Sequence, residues 1–377
     1  MERPYDIDEM RRRRRIQRKR EIRRRKRRRA LIRRVIQIGS VAVLIGLMVW
    51  ILKMMLGKGR PDAGTVSNTG QRFMEEAERG LLAESLSGAD AVETDKAAGG
   101  QGGTGDSMTY RYTEDEETWQ LGEEDITSSY AVFVDTEEDL ILASRDAFSR
   151  MVPASMTKVL TALVAAEHMD NLDDTFTITI DITDYSFRNG CSNAGFDRDE
   201  TVTVRDLLYG AVLPSGADAS LGLAVYVAGS QEAFVELMNE KLEELGLSET
   251  SHFTNCVGLY DENHYTTAYD MAVMMEAAIQ NETCREIFSS RTYTTSSTEQ
   301  HPEGIPLSNW FVRRIEDKET NGILVYGKTG YVDEPGSCAV SFGTREDGRT
   351  YICVTANSGS KWWCINDHAK LYQELTK

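Results

Sequence analysis

"MVPASMTKVLTALVAAEHM", residues 151–169, sets a serine and a lysine three positions apart and follows them with an almost unbroken apolar run. Residues i and i+3 of a helix are neighbours on one face, so this spacing brings Ser155 and Lys158 together. A serine near a helix N-terminus gains from the positive end of the dipole as its oxygen develops negative charge. Lysine acts as a base only when burial and a second cation lower its pKa from about 10.4 toward ~7–8. The apolar stretch 159–166 can supply that burial. S-x-x-K is a short pattern, however, and a helix-capping serine beside a surface lysine would satisfy it equally.

Working outward, "SSYAVFVD" and "LILAS" flank the polar "TEED" and predict two strands joined by a turn. Helices are predicted from "VRDLLYGAVL", "ASLGLAVYVAG", "EAFVELMNEKLEELG" and "AYDMAVMMEAAI". "GILVYGKTG" reads as a strand, "SCAVSFG" and "TYICVTAN" as a hairpin around "TREDGR", and "NDHAKLYQELTK" as a closing helix. Strands at both ends of a helical middle predict an α/β domain over residues 126–377 with a mixed or antiparallel sheet.

Two more segments carry chemistry. "KTG" at Lys328, Thr329 and Gly330 follows an apolar strand, so a cation and a hydroxyl project from a sheet edge where glycine lets a ligand approach the backbone. "PSGADAS", residues 214–220, lies at the junction of two predicted helices. In this order the three segments resemble the S-x-x-K, S-x-N and K-T-G motifs of the penicillin-recognising serine enzymes. More narrowly, residues 130–357 resemble the low-molecular-mass serine D-alanyl-D-alanine carboxypeptidases of bacterial wall metabolism. "PASMTKVLTALVA", "TVRDLLYGAVLPSGADAS", "FVELMNEKLEELGLSETSHFTNCVGL", "HYTTAYDMA" and "GKTGYVDEPGSCAVSF" carry that likeness.

The resemblance implies a DD-peptidase/β-lactamase-like α/β fold, with an antiparallel sheet flanked by helices, an all-helical half and the site in the cleft between them. It implies Ser155 as nucleophile, Lys158 as its base and Ser215 as proton relay to the leaving group. Lys328 and Thr329 would bind the substrate's terminal carboxylate beside Gly330, and the backbone N–H groups of Ser155 and Tyr331 would form the oxyanion hole. The expected substrate is the peptidoglycan stem pentapeptide, losing its last D-alanine, and β-lactams would acylate the same serine. No cofactor is implied, and the five histidines show no zinc-ligand spacing. The pattern breaks at Ala217, where the motif has asparagine; Asp218 and Ser220 are the candidates to take over its amide's work. A catalytically impaired wall-binding or regulatory homologue therefore stays open, as does an endopeptidase or transpeptidase of the same fold. A β-lactamase would need a deacylating glutamate followed four residues later by asparagine, and residues 215–328 contain no such pair.

"GILVYGKT", residues 322–329, also satisfies the phosphate-loop pattern G-x-x-x-x-G-K-T. Its four middle residues are strand-forming and no helix can follow "GYVDEPGS", so the nucleotide reading fails. Cys338 and Cys353 lie on the two arms of the proposed hairpin; a disulfide between them and buried free thiols both remain open.

Charge divides the rest of the chain. Residues 1–34 carry 18 Lys/Arg against 5 Asp/Glu, whereas the whole chain has a net charge of -17. Residues 35–56 are apolar apart from Gln37, Ser40 and Lys53, long enough as a helix to cross roughly 30 Å of hydrocarbon. With no small-residue cleavage pattern after it, this reads as an uncleaved transmembrane helix with the basic tail in the cytoplasm and the remainder outside. The tail suits contact with anionic lipid. Residues 6–34 have no aromatic side chain to stack on bases, which argues against nucleic acid. Residues 57–125, rich in glycine and acid, are expected to be a flexible linker.

Overall fold

A computed structural model describes residues 112–332 and 336–377; the basic tail, the apolar span at 35–56 and the linker up to residue 111 lie outside the described residues. Strands β1 (Trp119–Gln120), β2 (Tyr130–Asp135) and β3 (Leu140–Arg145) come first. A helical middle follows: α1 (Lys158–Glu167), α2 (Ile180–Arg188), α3 (Val204–Val212), α4 (Ala217–Ala228), α5 (Gln231–Glu244), α6 (Ala268–Gln280) and α7 (Glu282–Phe288). Two small ribbons are set around these helices, β4 (Thr175–Thr177) with β5 (Thr201–Thr203) and β6 (Thr292–Thr294) with β7 (Pro306–Ser308). The chain returns through α8 (Val312–Ile315), β8 (Leu324–Val332), β9 (Gly336–Thr344), β10 (Thr350–Ser358) and α9 (Lys361–Leu375).

The six-stranded sheet has the order β1-β3-β2-β10-β9-β8, so the first and last parts of the domain meet at its centre and β8 forms one edge. Strand β2 is buried on both faces. Val132 and Val134 join the core shared with α1 and α6, whereas Ala131 and Phe133 join a second core beneath α8 and α9. A strand covered on both sides reads as a continuous apolar run, and each fully buried Val or Phe contributes ~1.5–3 kcal/mol. Helix α1 lies inside the first core with every residue from Lys158 to Ala165 buried, which is why its sequence is apolar all round.

The sheet is the mixed one of the two alternatives, and the linker boundary changes. The sheet is antiparallel except for β1, which pairs parallel with β3 through Trp119↔Ala143 and Gln120↔Ser144. Residues 112–125, expected in the linker, pack on the domain: Tyr112 and Leu121 are buried, and the Tyr112 hydroxyl donates to Glu276 Oε2 at 2.5 Å. A few well-spaced apolar anchors hold this acidic stretch.

The cysteine question also closes. All six thiols are free. Cys353 pairs in register with Ser341 rather than Cys338, and the two side chains enter opposite cores, so the sheet stands between them.

Candidate active site

Ser155 lies on a single 3-10 turn, Ala154–Thr157, that leads directly into α1, and Lys158 is the helix's first residue. Lys158 Nζ donates to Ser155 Oγ at 3.1 Å and to the Val257 carbonyl at 2.6 Å. The lysine is 2 % exposed and has no carboxylate in ion-pair range among the described residues. Burial lowers its pKa to about 8. The surface-lysine alternative is thereby removed.

The turn is held in an unusual shape. Ala154 has φ 48, in the left-handed region. The Thr157 hydroxyl donates to the Ala154 carbonyl at 2.7 Å and lies 2.8 Å from His264 Nε2. His264 Nδ1 accepts from the Thr254 N–H at 3.0 Å, so the ring carries its proton on Nε2 and donates to Thr157. Burial keeps that ring neutral by lowering its pKa to about 4. Asn255 Oδ1 accepts from the N–H groups of Gly258 at 2.8 Å and Leu259 at 2.9 Å, which fixes the loop bearing the Val257 carbonyl. Gly258, at φ +80, lies against the serine turn: a Cβ there would be 1.9 Å from the Ala154 carbonyl oxygen.

Opposite Ser155, the turn between α3 and α4 presents Ser215 at φ 64. Such a residue stores about 1–3 kcal/mol of strain and persists only where its neighbours hold it. Lys328 Nζ does so, donating to Ser215 Oγ at 2.8 Å and to the Thr329 carbonyl at 2.8 Å. Lys328 is 2 % exposed, and burial together with the charge of Lys158 holds its ammonium well below the usual lysine range. Gly330 brings β8 against the serine: a Cβ at this position would be 3.0 Å from the Ser155 amide nitrogen and 2.6 Å from Cys338 Sγ. Thr329 is half-buried and Tyr331 is 64 % exposed at the rim. The three motifs therefore converge on one cleft between the β8 edge and the helical half.

Ala217 is buried, and neither proposed substitute takes its place. The Asp218 carboxylate accepts from the N–H groups of Ala194 at 2.8 Å, Gly195 at 3.0 Å and Ala219 at 2.9 Å. Ser220 is fully buried and its hydroxyl donates to the Gly216 carbonyl at 2.8 Å. Both serve the backbone, not the cleft. Sequence reasoning also missed the 254–259 loop, although "FTNCVGL" stood among the segments carrying the resemblance.

Residues 116–359 match the family described as D-alanyl-D-alanine carboxypeptidase. The chain is 30% identical over 237 residues to D-alanyl-D-alanine carboxypeptidase DacF of Bacillus subtilis, covering 61% of this chain and 58% of that protein. It is 34% identical over 232 residues to a D-alanyl-D-alanine carboxypeptidase of Streptomyces sp. strain K15, covering 58% and 77%. The crystal structure of the Streptomyces K15 DD-transpeptidase overlays with a TM-score of 0.59 at 28% identity, covering 67% of this chain and 99% of that one. Penicillin binding protein 5 of Haemophilus influenzae overlays with a TM-score of 0.59, also at 28% identity, covering 67% and 72%. Fold and site thus define an α/β DD-peptidase with a serine–lysine pair at its centre. The chain belongs to the D-alanyl-D-alanine carboxypeptidase family.

Proposed function

We propose that this protein is a serine D-alanyl-D-alanine carboxypeptidase that removes the terminal D-alanine from peptidoglycan stem pentapeptides. The observation that carries this reading is the 3.1 Å contact between Ser155 Oγ and a buried Lys158 whose pKa is lowered to about 8. Neutral Lys158 takes the Ser155 proton as Oγ attacks the carbonyl carbon of the penultimate residue. The backbone N–H groups of Ser155 and Tyr331 meet the developing oxyanion, each such donor being worth ~3–4 kcal/mol. Ser215, oriented by Lys328, passes a proton to the departing amine as the C–N bond breaks. Water then cleaves the acyl-serine ester. Lys328 and Thr329, beside Gly330, receive the terminal carboxylate, and β-lactams acylate Ser155 in the same way.

The same reading makes residues 35–56 a membrane anchor, with the basic tail cytoplasmic and against anionic lipid and the catalytic domain outside a bacterial cell membrane. Ala217 favours one second reading, a wall-binding homologue with an impaired site, and a transpeptidase or endopeptidase would use the same residues. The test is the intact mass of the detergent-solubilised full chain after benzylpenicillin, beside Ser155→Ala, followed by a D-alanine release assay. A stoichiometric adduct lost in Ser155→Ala, with D-alanine released from pentapeptide, supports the carboxypeptidase. A folded protein that forms no adduct shifts the reading to the impaired homologue.

A further inference from the structure

The segment preceding α3 fills the neighbourhood of Ala217. The Ala217 N–H donates to the Ser192 carbonyl at 2.8 Å, and two residues further along the Ala194 N–H donates to Asp218 Oδ1 at 2.8 Å. These bonds tie residues 192–194 to the N-terminus of α4, so that Asn193 sits beside Ala217. Ala194 faces inward: it is buried, and its Cβ is 3.0 Å from where a Cβ on Gly210 would stand. The segment borders the cleft, because its Ser192 carbonyl takes the N–H of Ala217, two residues along the chain from Ser215. Asn193 is exposed, and its carboxamide has no hydrogen-bond partner among the described residues.

We propose that Asn193 supplies the carboxamide that holds the peptide group on the acyl side of the scissile bond, in place of the side chain that Ala217 lacks. A carboxamide offers one acceptor and two donors, the complement of a peptide N–H and C=O. Asp218 is the positioning residue, since its carboxylate clamps the N–H groups on the C-terminal side of Asn193. This inference rests on the carboxypeptidase reading and names the residue that grips that substrate.

The test uses the full chain in detergent, with Asn193→Ala and Asn193→Asp assayed on a D-alanyl-D-alanine peptide. A matched analogue replaces the acyl-side peptide N–H with an ester oxygen. Asn193→Ala is expected to lower kcat/KM on the peptide about tenfold and on the ester, which keeps only the C=O to be gripped, about threefold, with Tm unchanged. Asn193→Asp, which loses the donors, should fall between wild type and Asn193→Ala on the peptide. An Asn193→Ala rate within about twofold of wild type on the peptide, or an equal loss on both substrates, overturns the assignment. A wild-type protein that neither binds penicillin nor releases D-alanine fails the carboxypeptidase reading itself, and this inference with it.

Discussion

The Val257 carbonyl accepts a 2.6 Å hydrogen bond from Lys158 Nζ, shorter than the 3.1 Å contact between that nitrogen and Ser155 Oγ. A carbonyl can accept from an amine as well as from an ammonium, so the lysine stays in place when it gives up its proton. What titrates is then its ability to deprotonate the serine. With a pKa of about 8, only about a tenth of the molecules hold neutral Lys158 at pH 7. The rate of benzylpenicillin acylation should climb roughly tenfold from pH 7 to a plateau above pH ~8.5. A rate independent of pH across that window would remove Lys158 as the base.

The loop that carries Val257 touches the serine turn at Gly258. An alanine there would drive its methyl carbon to 1.9 Å from the Ala154 carbonyl oxygen and would hold an unfavourable φ of +80. Gly258→Ala should destabilise the domain by about 3 kcal/mol or more, because the contacted atom is backbone and cannot rotate away. Thermal unfolding should show a Tm lower by roughly 10 °C, and penicillin acylation should fall with it. A variant with wild-type Tm would show that the two segments are less tightly joined than this contact requires.

Much of this architecture could be read from the chain. The residues of β2 alternate between two buried faces, so "YAVFVD" had to be a covered strand, and the apolar ring of α1 had to be a central helix. The spacing of Ser155 and Lys158 foretold that they would be neighbours, as their 3.1 Å contact shows, but could not tell a buried lysine from a surface one. Other features depend on partners distant in sequence, which local patterns do not encode. The parallel pairing of β1 with β3 is one example; the separation of Cys338 from Cys353 by the sheet is another, because hairpin register decides which side chains face each other. Asp218 looked like a polar side chain available to the cleft, yet three backbone N–H groups from two segments consume its carboxylate.

Lys328 holds Ser215 with no anion beside it among the described residues, and burial together with Lys158 depresses its proton affinity. A substrate carboxylate arriving there would favour the charged form. Binding should therefore be accompanied by proton uptake. Calorimetry of Ser155→Ala with a D-alanyl-D-alanine peptide, repeated in buffers of different ionisation enthalpy at pH 7–8, reads this uptake directly. Lys328→Met should bind more weakly and abolish the uptake. Binding and proton uptake that both persist in Ser155→Ala/Lys328→Met would detach Lys328 from carboxylate recognition.

Two buried histidines set the acid limit of the fold. His264, beneath the serine turn, has its pKa lowered to about 4, and His368, with Nδ1 2.8 Å from Ser341 Oγ, to about 3; burial is the main cause in both. The unfolded chain binds these protons near pH 6.5, so below that value it takes up protons that the folded state refuses. Stability is fully present above pH 6.5 and is lost as pH falls toward 4, by about 3 kcal/mol from His264 alone. Glu276 acts in the opposite sense: burial raises its pKa to about 7, so its contribution improves as pH falls from 7 toward 4.5. Chemical denaturation of Glu276→Gln from pH 7.5 to 4.5 removes this offset and should show a steeper loss of stability than wild type. If the variant's unfolding free energy stays level across that range, the buried histidines are not what the acid-side stability depends on.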